Sequence, residues 1–408
     1  MSEKNFHHHE KLVETPEDVL ALADKLSALP AEGEDLPMIA IDTEFIRERT
    51  FFPIVALIQI ATRAESWLVD PLALKNEELK PLLDVFAGEK TLKILHAAQA
   101  DQECLYSSFG MTARPSFDTA AGASLCGFGE APGLAKLTKE LLGISLAKGH
   151  ARTDWTVRPL PAQLSKYAHQ DVEYLIPLAE KLFARLDSRG RKRWGFELSA
   201  KYEDGRVFEP APEEMARKIV RNRQTDRRGY ATLVALVRWR ERRVRELDIP
   251  RKWVADDDLI AALANVRPSD LAHLSAFRGL NKGELKHSGQ AILDAIHAAA
   301  KIPERELPPV PSIETALPDE GRALEVLMCF LRVLADRHEI APKFLLSQEQ
   351  ALGLLRERFE TPADFVKKGI LAQGACDLIG DELLRMLRGD SALAIKGSDV
   401  VVASLAHS

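Results

Sequence analysis

The sequence predicts an α/β domain, with a mixed sheet flanked by helices, followed by two all-helical domains. Strand and helix patterns alternate up to about residue 205, and strand patterns nearly vanish beyond about residue 210. Ile302–Pro318 contains five prolines, a density that helices do not tolerate, so it separates the two helical parts as an extended linker. We therefore place the domains at residues 1–205, 206–301 and 319–408, with the linker at 302–318.

The α/β part contains four short apolar runs that end at acidic or turn residues, as strands do. The predicted strands are Met38–Ile41, Val55–Ala61, Ser66–Val69 and Leu92–Leu95. Longer stretches with helical spacing of apolar residues lie before, between and after them. The predicted helices are Pro16–Leu29, Leu79–Ala87, Ala100–Phe109, Gly133–Leu142 and Leu164–Leu186.

The rest of the chain shows helical spacing, with capping residues such as Asp256 at several helix starts. Before the linker, the predicted helices are Met215–Asn222, Gly229–Leu247, Asp256–Leu263, Ser269–Leu274 and Lys282–Ala300. After the linker, they are Asp319–Arg337, Ser347–Phe359, Pro362–Lys368 and Ile379–Gly389. The similar coarse pattern of the two parts hints at a diverged duplication, although no residue-level repeat is visible.

The composition indicates a cytoplasmic protein. No run approaches the roughly 18 apolar residues of a membrane span, and the first residues lack the apolar core of a signal peptide. The four cysteines are widely spaced, which argues against a disulfide framework or a zinc site. We expect the three histidines at positions 7–9 to lie in a loose N-terminal arm.

Charge is distributed unevenly along the chain. The whole protein carries a net charge of −6, but Met215–Trp253 contains thirteen Lys or Arg residues against four Asp or Glu, a net of +9. A strongly basic segment inside an acidic protein is typical of a module that binds a polyanion.

The strongest local feature is the acidic pair in Asp42-Thr43-Glu44, directly after the first predicted strand. Residues i and i+2 of a strand project to the same side, so the two carboxylates would project together. Adjacent carboxylates repel each other unless a cation neutralises them, and carboxylate oxygens suit Mg²⁺ or Mn²⁺. Alone, the pair fits an ordinary acidic loop equally well.

Two further features favour a metal site. Asp101 follows the predicted strand Leu92–Leu95 near a helix start, where α/β sheets build their sites. Tyr167 and Asp171 lie four residues apart on a predicted helix, which puts a phenol and a carboxylate on one face.

These residues match, in order and in context, the three motifs of the DEDD exonucleases in their tyrosine branch, DEDDy: Asp42-x-Glu44, Asp101 and Tyr167-x3-Asp171. The chain resembles the bacterial ribonuclease D family in the stretches Asp42–Pro53, Ala56–Ala61, Asp70–Leu72 and Arg152–Pro159. Residues 212–300 are similar to the helicase-and-RNase-D C-terminal domain, HRDC, and residues 320–395 resemble the second such domain of the family. The resemblance implies a ribonuclease-H-like exonuclease domain followed by two HRDC-like domains.

The resemblance also implies a chemistry. Asp42, Glu44, Asp101 and Asp171 would hold two divalent ions, Mg²⁺ or Mn²⁺, about 4 Å apart. Tyr167 would orient the attacking water or help to remove its proton. The expected activity is release of 5′-mononucleotides from the 3′ ends of structured RNAs such as tRNA precursors, by a monomer that contacts no membrane.

Several further residues are candidates for contacts with the substrate. They are Phe45, Lys148, Arg152 and Trp155 beside the motifs, and Arg227 and Arg228 in the basic segment. Among weaker acidic candidates, Asp70 fits a turn residue at a strand end, while Asp118 and Asp154 could lie near the cleft, and His169 is expected to be structural.

Two other functions stay open. A DNA 3′→5′ exonuclease would use the same motif residues, and a comparison of matched RNA and DNA 3′ ends would separate the two activities. A non-catalytic RNA-binding protein on a nuclease fold is disfavoured, because all five motif positions carry the required residues.

Overall fold

The computed structural model describes residues 6–9, 11–31, 35–146, 153–221, 223–277, 279–280, 282–311 and 317–405. Six strands form one mixed sheet in the order β1-β4-β3-β2-β5-β6. The strands are β1 (His7–His8), β2 (Met38–Ile46), β3 (Ile54–Ala61), β4 (Glu65–Val69), β5 (Leu92–Leu95) and β6 (Ser116–Asp118). The predicted mixed sheet is confirmed, and the edge strands β1 and β6 extend it beyond the four predicted strands.

The sheet topology leaves most of β2 free of its parallel neighbour, because β5 pairs only with Met38–Ala40. β2, β3 and β4 form an antiparallel meander, while β5 runs parallel to β2 and β6 parallel to β5. The last register pair between β2 and β5 joins Ala40 to Ile94. β2 therefore extends past β5 over the length that contains Asp42 and Glu44, and this opens the sheet there for other side chains.

Helices cover both faces of the sheet. They are α1 (Pro16–Ser27), α2 (Asn76–Ala87), α3 (Gln99–Phe109), α4 (Thr119–Ser124), α5 (Leu134–Leu137), α6 (Ala162–Glu173), α7 (Leu175–Ser188) and α8 (Lys192–Ala200). A π-helical turn, Thr138–Leu142, follows α5. Helices α1 to α3 share one apolar core with the sheet, while α6 to α8 pack on the other face. The single helix predicted over Leu164–Leu186 is two helices. α6 ends at Glu173, and α7 begins at Leu175 after the cap residue Tyr174.

The next part of the chain is helical, as predicted. Its helices are α9 (Pro212–Val220), α10 (Arg227–Leu247), α11 (Arg251–Val254), α12 (Asp257–Val266), α13 (Leu271–Ser275) and α14 (Lys282–Ala300). The side chain of Asp256 accepts a hydrogen bond of 2.8 Å from the Leu259 amide and caps α12, as expected.

The last part is helical but ends in a hairpin. Its helices are α15 (Pro318–Arg337), α16 (Gln348–Arg356), α17 (Ala363–Lys367) and α18 (Gln373–Arg388). Two antiparallel strands follow, β7 (Ser391–Lys396) and β8 (Asp399–Ser404). The description of this part as all-helical is therefore corrected. Part of the signal was present, because Gly397-Ser398 is a two-residue turn before a β-branched run, Val400–Val402, with Gly397 at a φ of 67°.

Both helical parts contact the α/β part. Asp248 accepts hydrogen bonds from the backbone amides of Phe51 (3.0 Å) and Phe52 (2.9 Å). The apolar core of the last part is continuous with that of the α/β part, and Trp194 of α8 packs against Gly374 of α18. The boundaries at residues 205, 301 and 318 stay predictions.

The described N-terminal residues are not a loose arm. β1 pairs in parallel with β4, and the His8 ring stacks on His169 with 4.7 Å between centroids. His8 Nε2 lies 2.5 Å from the Glu173 carboxylate, and His9 Nε2 lies 3.2 Å from Glu65. The expectation is corrected because the edge of β4 and two carboxylates provide partners that composition does not reveal. No described helix is both long and apolar enough to cross a membrane.

Candidate active site

The acidic pair lies within a strand. β2 continues to Ile46, and Asp42 and Glu44 are paired with Gln59 and Leu57 of β3. The expectation that the pair follows the strand is wrong, because β3 supplies hydrogen-bond partners to this stretch. The alternation of a strand holds for this stretch and puts both acids on one side of the sheet.

Helix α6 brings a third carboxylate to the pair. It packs across β3 and β4, and carboxylate oxygens of Asp42, Glu44 and Asp171 lie within 4.8 Å of one another. The Tyr167 hydroxyl, four residues before Asp171 on the same helical face, hydrogen-bonds the Asp171 carboxylate. Three carboxylates and a phenol therefore meet at one point of the sheet.

Asp101 lies beside this three-residue group. It is the third residue of α3, and its buried carboxylate accepts hydrogen bonds from the Thr43 amide (3.0 Å) and the Thr43 hydroxyl (2.6 Å). Thr43 lies between the two acids of β2, so Asp101 is anchored to the strand segment that carries them, although it is not one of the three residues within 4.8 Å of one another.

The electrostatics of the group disfavour four negative charges without a cation. Burial, and then repulsion from Asp171 and Asp101, raises the pKa of Glu44 to about 8. Burial raises the pKa of Asp171 to about 7 and that of Asp101 to about 6. Burial and repulsion from the neighbouring acids also raise the pKa of Asp42 well above its ordinary range. Such a cluster can hold a divalent metal ion, which would compensate the repulsion.

An ion pair holds the segment behind Tyr167. Asp70 is buried and accepts two hydrogen bonds from Arg158, at 2.5 and 2.8 Å. Arg158 also donates to the carbonyls of Ala56 (2.8 Å) and Trp155 (2.8 Å). Trp155 is 4% exposed and its ring centroid lies 6.1 Å from that of Tyr167. The structure thus places Trp155 behind Tyr167 rather than in an open cleft.

The other candidates near the motifs have different positions. Phe45 is half-buried and packs against the apolar core between the sheet and helices α1 to α3. Lys148 and Arg152 lie outside the described residues. Asp154 accepts hydrogen bonds from the amide and hydroxyl of Thr156, as a turn residue does.

Arg227 and Arg228 bind backbone carbonyls within the first helical part. Arg227 donates to the carbonyl of Leu307, and Arg228 donates to that of Ala300 (2.9 Å) and pairs with Glu304 (3.0 Å). Other arginines of the basic segment also pair with acids. These pairs are Arg223–Asp258, Arg238–Glu213, Arg240–Asp257, Arg243–Glu284 and Arg251–Glu241. The net charge of +9 is therefore largely compensated, mostly by acids outside the segment.

The side chains that hold the acids in place have no recognisable signature in the sequence. Thr43 lies inside the first motif, yet its side chain alternates away from the two acids and gave no signal of its own. Arg158 is within a stretch that resembles the family, but only the fold shows that it pairs with Asp70.

The comparisons with known proteins agree with this geometry. A family model described as 3′-5′ exonuclease matches residues 12–187, and a model of the HRDC domain matches residues 231–296. Together with the mixed sheet and its acidic cluster, these matches define the class as a 3′→5′ exonuclease with an HRDC domain.

The relatives make the family specific. A ribonuclease D of Acidiphilium cryptum is 33% identical over 97% of this chain and 97% of its own length. The Escherichia coli ribonuclease D is 31% identical over 81% of this chain and 88% of its own length. Its crystal structure superposes with a TM-score of 0.79, covering 93% of this chain and 99% of that chain at 27% identity. The chain belongs to the ribonuclease D family and is a 3′→5′ exoribonuclease.

Proposed function

We propose that the protein removes 5′-mononucleotides from the 3′ ends of structured RNAs, such as tRNA precursors, as a cytoplasmic monomer with two bound Mg²⁺ or Mn²⁺ ions. Asp42, Glu44, Asp101 and Asp171 hold the ions, and Tyr167 acts on the attacking water. The observation that carries the proposal is the convergence of three carboxylates within 4.8 Å of one another.

The side chains fit a divalent metal in their chemistry as well as their spacing. All the donors are carboxylate oxygens, the ligands that Mg²⁺ and Mn²⁺ prefer. The raised pKa values of Glu44 and Asp171 show that the folded protein holds these negative charges only at a cost. A bound divalent ion would supply compensating charge, lower the pKa of a bound water and stabilise the leaving oxygen.

Tyr167 is suited to orient a water. Burial, and then repulsion from Asp171, raises the pKa of the Tyr167 phenol, so its hydroxyl stays protonated at neutral pH. Its hydrogen bond to Asp171 fixes the hydroxyl beside the carboxylates, and Trp155 packs behind the ring. A fixed phenol at this point can donate to, or accept from, a water aligned with the terminal phosphodiester.

The choice of structured RNA rests on the relatives. The solved Escherichia coli protein is described as an exoribonuclease involved in structured RNA processing. Phe45, Lys148, Arg152, Arg227 and Arg228 remain proposed substrate contacts, whereas the buried Trp155 would act on the substrate only by supporting the Tyr167 ring. Arg227 and Arg228 would have to exchange their present carbonyl partners for phosphate.

A direct test compares matched RNA and DNA hairpins with single-stranded 3′ ends, in Mg²⁺, in Mn²⁺ and in chelator. We expect 5′-mononucleotide release from RNA that requires the metal. Asp42→Asn should lower kcat by at least about a hundredfold, because it removes a metal ligand. The matched control is Asp256→Asn, a helix cap remote from the acids that should keep wild-type kcat. Equal activity of Asp42→Asn and wild type would refute the site, and faster release from DNA would support the alternative function.

A further inference from the structure

The turn that leads into α3 has a strained backbone. His96, Ala97 and Ala98 connect the end of β5 to α3, and Ala97 has a φ of 56°. A residue with a Cβ rarely adopts this left-handed conformation, and here the position is not occupied by glycine. Something in the fold must therefore stabilise the turn.

Asp118 supplies that stabilisation from the neighbouring strand. One oxygen of its carboxylate accepts from the Ala97 amide (2.9 Å) and the Ala120 amide (2.8 Å), and the other accepts from the Ala98 amide (3.1 Å). Asp118 is 6% exposed, and its own amide donates to the Ser199 hydroxyl at 2.8 Å. The carboxylate is thus a fixed acceptor for the amide of the strained Ala97 and for that of Ala98.

The next residue adds a second connection between the same two strands. The Thr119 hydroxyl donates to the Leu95 carbonyl at 2.9 Å and lies 2.9 Å from His96 Nδ1. The turn is therefore held at two points. The Asp118 carboxylate accepts from its backbone amides, and the Thr119 hydroxyl contacts Leu95 and His96 at its start.

The turn sets the position of Asp101. α3 begins at Gln99, so Asp101 lies within one helical turn of the strained residue. Its carboxylate must reach Thr43 on β2, and a change of φ at Ala97 would swing the start of α3 away from that contact.

We propose that Asp118 is a positioning residue, which holds the left-handed turn at Ala97 so that Asp101 faces the acidic pair. This inference rests on the proposed metal site. The described hydrogen bonds of the Asp118 carboxylate do not reach the acids of the site or Tyr167, and its positioning effect passes through the backbone of the turn.

The first test is Asp118→Asn. Every described partner of the carboxylate is a backbone N–H donor, so either orientation of the amide turns an NH₂ group towards a donor. Substitution of a residue that orients a metal ligand typically lowers metal affinity or activity by about 10–100-fold. We expect kcat to fall by about tenfold and the Mn²⁺ dissociation constant from calorimetry to rise by a similar factor, with KM for RNA within about twofold.

The second test varies strain at position 97 and leaves Asp118 intact. Ala97 is exposed, so the added methyl groups of Ala97→Val should not clash with the apolar core. A β-branched residue nevertheless disfavours positive φ more strongly than Ala does. Ala97→Val should therefore reproduce the loss of kcat and Mn²⁺ affinity. Ala97→Gly removes the steric penalty and should restore most of both losses when combined with Asp118→Asn.

These outcomes distinguish a positioning role of Asp118 from a general loss of folding and from a wrongly assigned metal site. Asp256→Asn makes the same chemical change at an exposed helix cap remote from the site, and it should retain wild-type kcat and Mn²⁺ affinity. Wild-type values for Asp118→Asn, or no recovery in the Asp118→Asn/Ala97→Gly double variant, would overturn the inference. If wild type binds no Mn²⁺ and releases no nucleotide, the proposed function itself fails. If Asp118→Asn does not fold, the comparison of Ala97→Val with wild type still decides the question.

Discussion

At the scale of single residues, the acids of the site are held against their own repulsion. Their pKa values are raised by burial and by one another, whereas the hydrogen bonds from Thr43 to Asp101 and from Tyr167 to Asp171 oppose the rise. The folded protein without metal therefore holds protons that the unfolded chain releases. This difference couples stability, pH and metal binding.

The metal-free protein should lose stability as pH rises from about 4 to about 8. The carboxyls of Glu44, Asp171 and Asp101 titrate near pH 4 when unfolded but at about 8, 7 and 6 when folded. Their stabilising contribution is fully present below the unfolded pKa and is lost as pH passes the folded values. Thermal unfolding in chelator should show a falling midpoint over this range, and saturating Mn²⁺ should raise the midpoint more at pH 8 than at pH 5.5. Asp42→Asn should weaken this dependence of the unfolding midpoint on pH. A midpoint that rises steadily to pH 8 in chelator would contradict the prediction.

Tyr167→Phe should separate catalysis from metal binding. The variant keeps the ring against Trp155 but removes the hydroxyl that acts on the water, so kcat should fall by about 10²–10⁴-fold. Loss of its hydrogen bond also raises the pKa of Asp171, so Mn²⁺ affinity should fall at pH 6 and recover at pH 8. Calorimetry and single-turnover kinetics at both pH values test this, and a kcat within twofold of wild type would remove Tyr167 from the mechanism.

At the scale of secondary structure, α6 connects the site to the far edge of the sheet. Tyr167 and Asp171 face the acids of β2, while His169 accepts or donates a hydrogen bond of 2.7 Å with Ser66 of β4. Glu173 reaches His8 of β1. The position of the helix thus depends on contacts at both ends of its sheet-facing surface.

The ion pair between Asp70 and Arg158 should be a large contributor to stability. Arg158→Met leaves the buried Asp70 carboxylate without its two charged donors, which should lower the free energy of unfolding by about 3 kcal/mol. Urea unfolding measures this change. Adding Asp70→Asn to Arg158→Met should recover part of the loss, because a neutral amide is less costly to leave without the guanidinium. A loss below about 1 kcal/mol would show that water replaces the arginine.

At the scale of the whole molecule, both helical parts share apolar packing with the α/β part. Phe51 of the α/β part lies in the core of the first helical part, where Asp248 also accepts from the Phe51 and Phe52 amides. The core of the last part is continuous with that of the α/β part. Arg217 of α9 pairs with Glu349 of α16 at 3.0 Å, so the helical parts also contact each other.

Gly374→Ala should loosen the docking of the last part. An added Cβ would lie 2.3 Å from Cβ and Cγ of the buried Trp194, which cannot move without disturbing the shared core. Overpacking of this kind costs about 1–3 kcal/mol. The matched control is Gly353→Ala in α16, where nothing lies within 4 Å of an added Cβ and where Ala should stabilise the helix by up to about 1 kcal/mol. Thermal unfolding and limited proteolysis of the 302–318 linker compare the two variants, and equal stability would contradict the docking.

Local periodicity is the reason that so much of the site was predictable. A strand puts Asp42 and Glu44 on one side, and a helix puts Tyr167 and Asp171 on one face, wherever those elements lie. The predicted strand ended at Ile41, five residues before the observed end of β2. Polar residues that pair with a neighbouring strand lack the apolar pattern on which the prediction relied. The charge count of the basic segment did not reveal which acids its arginines pair with, because those acids lie mostly outside the segment.

Spacing along the chain was enough to predict the order of the domains, the five motif residues and the family that they resemble. How the motif residues are held in place follows instead from contacts between distant parts of the chain. Asp118 at the Ala97 turn, Arg158 on Asp70 and Asp248 on the α/β part each join residues that are distant in the chain. A hydrogen bond depends on separation in space, and no local pattern encodes that separation.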